Sequence, residues 1–252
     1  MTINSFKYIN NNEKQTILFL HGWGCDFTYL EPFSHTIKYA NLVFVDLPGF
    51  GKNEPLNHYF TLDNYSESIL TFLKENNFKI DCIVGHSFGG KLSVLIASRL
   101  RIKSLILLSP SIYNKPRFLK YYINIYLYKF FKLINAPKFL LNFFGSKDYK
   151  TLDNTMKRTM SLVINEDVSS QLASLKIPNI VFFGNDDKIT PCYLYKKIKK
   201  NCRDSTLIKI KGDHFAYLSN ILFVSIVIEK VLNYDCIFYI FLCDFTIIFI
   251  SL

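Results

Sequence analysis

The chain has no Cys-x-x-Cys pair, no histidines at metal-ligand spacing, no Gly/Ser linker, no internal repeat and no low-complexity tract. The first two absences exclude a zinc site built from neighbouring ligands and a dithiol redox centre, so neither metal nor cofactor is expected. The six cysteines, Cys25, Cys82, Cys192, Cys202, Cys236 and Cys243, are scattered as ordinary thiols of a reducing compartment would be. The remaining absences exclude a solenoid and argue against independently linked domains. No nucleic-acid motif accompanies the net charge of +10, and no nucleic-acid partner is expected. The positive excess goes with abundant Phe, Tyr, Asn and Ile, the mark of an AT-rich coding sequence. Residues 1–15 lack the basic-then-apolar design of a secretory signal, so a cytoplasmic location is expected. The apolar stretch at 236–252 falls short of the ~20 residues of a membrane helix, and Asp244 near its centre would cost about 2.5–3.5 kcal/mol on insertion. A packed terminal element or an extension without a role is the favoured reading of 236–252, with membrane contact the less favoured one.

Hydrophobic residues make up 50% of the 252 and charged residues 20%, a balance that builds a substantial core in place of a disordered chain. Short apolar runs at 16–20, 42–45, 80–84, 104–108, 179–183 and 206–210 read as strands. Helical spacing recurs between most of them, at 26–40, 62–76, 88–100, 191–201 and 215–232. This alternation predicts an α/β fold with a mostly parallel central sheet and helices on both faces. Residues 5–9 should add an antiparallel edge strand. Between 111 and 177 the strand pattern stops. That segment is expected to be an inserted helical cap above the carboxyl ends of the strands, with 1–110 and 178–235 forming the core.

Chemistry concentrates at strand ends. Gly85-His86-Ser87-Phe88-Gly89-Gly90 follows one strand and opens a helix, the setting of a G-x-S-x-G nucleophile elbow. The tight turn presents Ser87, and small residues on either side let neighbouring segments approach it. His86 fills the position before the nucleophile and is assigned no catalytic role. His21-Gly22-Trp23-Gly24 ends the first core strand, where the Trp23 amide, together with that of Phe88, would form a two-donor oxyanion hole. Asp46, in Asp46-Leu47-Pro48-Gly49-Phe50-Gly51, is expected to orient local backbone. In Gly184-Asn185-Asp186-Asp187 the carboxylate of Asp187 is preferred over Asp186, because it stands three residues after the glycine and four before Pro191. An Asx turn that caps the following helix is the plainer use of those residues. His214, in Gly212-Asp213-His214-Phe215, lies at the end of the last strand and would relay the serine proton.

The order Ser87, Asp187, His214 and the motifs HGWG, DLPGFG, GHSFGG, GNDDKITP and GDHF resemble the α/β-hydrolase superfamily along most of the chain. The resemblance implies an α/β-hydrolase fold and a serine hydrolase with Ser87, Asp187 and His214 as its triad. It implies a carboxylic ester of a small or acyl-chain substrate, cleaved through an acyl-enzyme. HGWG and DLPGFG are similar to the esterases that cleave pimeloyl-carrier methyl ester, which implies acyl-carrier or thioester chemistry and an acidic acyl carrier as partner. Segments 144–149 and 163–167 instead resemble generic bacterial hydrolases, so the substrate stays open. The aromatic and basic residues of the cap would line an acyl pocket or steer an anionic partner, or simply pack and solvate its helices. A binding module that kept the scaffold without turnover is the reading of another class.

Overall fold

The computed structural model describes residues 1–113, 151–164, 166–202 and 205–233. Seven strands form one sheet: β1 (Phe6–Ile9), β2 (Thr16–Leu20), β3 (Asn41–Val45), β4 (Cys82–His86), β5 (Ser104–Leu108), β6 (Asn179–Gly184) and β7 (Ser205–Ile210). Their order is β1-β3-β2-β4-β5-β6-β7, with β1 antiparallel to β3 and every other pairing parallel.

The inner strands β2 to β6 are largely apolar because both of their faces are covered. Along β2, Leu18 and Leu20 join the core on one face while Ile17 and Phe19 join the core on the other. The same alternation recurs in β3, where Val43 and Val45 oppose Leu42 and Phe44. On the first face lie α2 (Leu62–Glu75) and α3 (Phe88–Ala97); on the second lie α1 (Phe33–Thr36) and the last helix, described below. Helix α2 begins in a capping box, with Asn64 N donating to Thr61 Oγ1 and the Thr61 amide donating to Asn64 Oδ1, which together contribute about 1 kcal/mol.

Two expected helices are broken for identifiable reasons. Segment 26–40 holds a 3-10 turn at Phe27–Tyr29 and then the short α1. The Phe27 amide donates to Asp46 Oδ1 at 2.7 Å, and Pro32 has no N–H to continue the ladder. Segment 215–232 divides into α7 (Ala216–Ser219) and α8 (Ile221–Asn233). There the Asn220 side chain donates to Ala216 O at 2.7 Å, a carbonyl that an unbroken helix would offer to the Asn220 amide. Strand β4 also runs two residues beyond its expected end, with Gly85 and His86 pairing with Leu107 and Leu108. The ladder therefore continues right up to Ser87.

Within the segment expected to be a cap, the described residues hold α4 (Asn154–Val163) and α5 (Ser169–Ser174) and no strand. Residues 114–150, and with them segment 144–149 and much of the aromatic and basic part of the expected cap, lie outside the described residues, as does the apolar stretch 236–252. Lys91 of α3 ties the described part of that segment to the core. It is 1% exposed, and its ammonium donates to Val163 O at 3.0 Å and Glu166 O at 2.7 Å. Val163 closes α4, so a cation sits against an open helix C-terminus. Burial draws the Lys91 pKa down to about 8, against the upward pull of Glu166 and Asp167. Among the described residues, no helix is long and apolar enough to cross a membrane.

Candidate active site

Ser87 is the turn between β4 and α3, and its backbone sits at φ 51°, ψ −110°. A non-glycine residue there carries about 1–3 kcal/mol of strain, which the surrounding packing must hold. Part of that packing is visible at Gly89, where a β-carbon would fall 2.1 Å from Leu20 O. The elbow is pressed against the end of β2 and tolerates no side chain at that point. The Ser87 amide donates to Leu108 O at 3.0 Å and the Ser87 carbonyl accepts from the Ser111 amide at 3.0 Å, anchoring the turn to β5 and the chain beyond it.

The loops after β6 and β7 are laced together. A β-carbon on Gly184 would fall 2.1 Å from Asp213 O, so only glycine lets the two turns touch. Asn185 Oδ1 accepts from the Gly212 amide at 2.8 Å, and the Asp186 amide donates to Gly212 O at 3.0 Å. This approach brings Asp187 Oδ2 to 2.8 Å from His214 Nδ1. Both residues are buried, at 5% and 6% exposure, whereas Asp186 is exposed. The carboxylate that meets His214 is therefore that of Asp187, and Asp186 spends its backbone on the turn.

Four donors converge on the Asp187 carboxylate. Oδ1 accepts from the amides of Ile189 at 2.7 Å and Thr190 at 2.8 Å, and Oδ2 accepts from Thr190 Oγ1 at 2.6 Å as well as from His214. Burial pushes the carboxyl up, but the hydrogen bonds of His214 and Thr190 outweigh it and hold the pKa at about 2. A carboxylate that stays ionised fixes the proton of a neutral His214 on Nδ1 and leaves Nε2 free to accept one. Thr190 Oγ1 is also 2.9 Å from Tyr195 OH, which extends the network into α6 (Cys192–Asn201). Thr190 was not singled out in the sequence. Its signal is the three-residue spacing from Asp187 that an Asx turn uses.

On the opposite side, Cys25 N donates to Gly22 O at 3.2 Å, closing the turn that carries Trp23. Among the described residues neither the Trp23 amide nor the Phe88 amide has an acceptor. The two rings meet edge to face at 5.4 Å, and Phe50 packs on Trp23 at 4.9 Å. His21, before this turn, takes no part in the site: its Nδ1 bonds Gly22 O at 2.8 Å and its Nε2 accepts from the Leu47 amide at 2.9 Å. Burial pushes its pKa down, which keeps the ring neutral for these bonds. Asp46 holds the amides of Phe27 and Lys52 and the Ser5 hydroxyl, the backbone-orienting part expected of it. Among the described residues no group of acidic, histidine or cysteine side chains is placed to hold a metal ion.

Residues 17–220 match the model of the alpha/beta hydrolase family. The chain is 29% identical over 215 residues to a pimeloyl-[acyl-carrier protein] methyl ester esterase of Wigglesworthia glossinidia brevipalpis, covering 73% of this chain and 79% of that protein. Its fold resembles an esterase from Exiguobacterium antarcticum at a TM-score of 0.71 and 14% identity, covering 91% of this chain and 95% of that one. It also resembles a meta-cleavage product hydrolase from Pseudomonas fluorescens at a TM-score of 0.65 and 14% identity, covering 91% and 93%. Likeness at that identity speaks to the fold alone.

Proposed function

The chain belongs to the alpha/beta hydrolase family, and from that premise we propose that it is a serine hydrolase of carboxylic esters, with Ser87, His214 and Asp187 as its triad. The observation that carries this reading is the buried 2.8 Å contact between Asp187 Oδ2 and His214 Nδ1 in loops laced together beside a serine in a strained left-handed turn.

In the proposed reaction Ser87 Oγ attacks the acyl carbonyl carbon as His214 Nε2 takes the hydroxyl proton. The carbonyl electron pair moves onto oxygen, where the amides of Trp23 and Phe88 donate to it. Collapse breaks the bond to the alcohol, which leaves with the proton from His214 and gives an ester on Ser87. Water then attacks that ester with His214 again as base, and the acid departs as Ser87 recovers its proton. Asp187 stays ionised throughout and stabilises the imidazolium formed in each half.

For the substrate, an acyl chain is favoured over a compact ester. The Wigglesworthia relative is named for a methyl ester carried on an acyl-carrier protein, and the packed rings of Trp23, Phe50 and Phe88 put apolar surface next to the amides of Trp23 and Phe88. Turnover of p-nitrophenyl esters of graded chain length, beside carrier-bound methyl esters and thioesters, tests this. A rise in kcat/KM with chain length supports it, and salt-sensitive preference for the carrier-bound form selects the carrier. Absence of turnover across the whole panel contradicts the hydrolase reading.

A further inference from the structure

His86 ends β4 immediately before Ser87 and is 1% exposed. Its Nε2 lies 3.1 Å from the main-chain carbonyl of His214. Its ring centroid is 4.8 Å from that of His214 and 5.0 Å from those of Phe215 and Tyr217. A carbonyl oxygen only accepts, so Nε2 must carry the proton and Nδ1 must be bare. Nδ1 has no hydrogen-bond partner among the described residues and faces Gly22, where a β-carbon would lie 2.9 Å away. Burial first, and the neighbouring His214 second, lower the pKa of His86 to about 3, so the ring is neutral at any pH near neutrality.

The His86 ring therefore joins three parts of the site. It is covalently next to Ser87, packed against the turn that carries Trp23, and bonded to the backbone of His214. Asp187 holds the His214 side chain through Nδ1, but that contact leaves the height of the His214 backbone above the elbow unfixed. The lacing of Gly212 and Asp213 holds that backbone to the loop after β6, and the bond from His86 ties it in addition to the nucleophile's own strand. Neutrality matters as well, since a second cation at 4.8 Å would oppose the imidazolium that His214 becomes in each half-reaction.

We propose that His86 is a positioning residue for His214, setting the base against Ser87 through the Nε2–H bond to the His214 carbonyl. This rests on the serine hydrolase reading above. His86→Phe keeps a ring of similar size and removes the donor, while His86→Gln keeps a donor near the Nε2 position. The expected result for His86→Phe is a 10- to 100-fold loss in kcat on a short p-nitrophenyl ester with KM within about twofold, because the substrate site is untouched and the base is misplaced. Its labelling by a fluorophosphonate should slow by a similar factor. His86→Gln should recover most of both rates. Wild-type kcat in a folded His86→Phe, or equal losses in both variants, would overturn the inference and reduce the ring to packing. Should His86→Phe fail to fold, the Gln variant decides alone: near-wild-type kcat supports the inference and a 10-fold loss at unchanged KM overturns it. Failure of the wild-type protein to label at all overturns the hydrolase reading, and this inference falls with it.

Discussion

Gly22 stands so close to His86 that a β-carbon on it would lie 2.9 Å from the imidazole Nδ1 and 3.3 Å from the Ser87 Cβ. His86 is fully enclosed by Gly22 on one side and the rings of Phe215 and Tyr217 on the other, so it has no room to yield. Gly22→Ala should therefore displace either the elbow or the turn carrying Trp23. The expected outcome is a destabilisation of about 1–3 kcal/mol by denaturant unfolding, together with a kcat loss of 10-fold or more. Wild-type kcat in this variant would show that the turn relaxes without moving the reacting groups.

Asp187→Asn keeps the volume of the carboxyl and replaces an ion with an amide. An amide cannot stabilise the His214 imidazolium and favours the wrong tautomer, so kcat should fall about 10⁴-fold with KM little changed. Stability should respond to acid in a defined sense. The carboxyl is held at about 2 in the folded chain against 3.8 ordinarily, so its contribution is present above about pH 3.8 and is lost as pH falls towards 2. Unfolding midpoints of the wild type and Asp187→Asn, followed from pH 6 to pH 2, should converge.

Lys91 gives a slope of the same sign in an alkaline window. In the folded chain it releases its proton near pH 8, whereas unfolded it holds the proton to about 10.5. Between those values the unfolded state binds the extra proton, and the stability attributable to this group rises with pH. Lys91→Met removes the buried charge and leaves the carbonyls of Val163 and Glu166 without their donor, so it should destabilise by about 1–3 kcal/mol near pH 7. The gap between wild type and variant should widen from pH 8 to pH 10, read as a difference in unfolding midpoints. A gap that narrows over that range would mean that the lysine is not buried as described.

How much of this was legible in the sequence follows from what each signal depends on. The inner strands could be read because both of their faces are buried and their central residues are apolar, as in Leu18 and Phe19. The candidate triad positions could be picked out because each follows a strand. Helix 26–40 could not be read, because its integrity turns on Asp46 capturing the Phe27 amide across the fold. The roles of Lys91 and His86 were hidden for the same reason. A lysine four residues past the elbow looks like a helix-surface residue until Val163 and Glu166 fold over it. His86 looked like filler because nothing local shows that the His214 carbonyl lies 3.1 Å from its ring.

The central claim is that Ser87 is a nucleophile activated by His214, and labelling with a fluorophosphonate tests it most directly. The account predicts one covalent adduct per chain, mapped by mass spectrometry to the peptide containing Ser87, absent from Ser87→Ala and strongly slowed in His214→Ala. An undiminished adduct in Ser87→Ala, or no adduct on the folded wild-type protein, would contradict it.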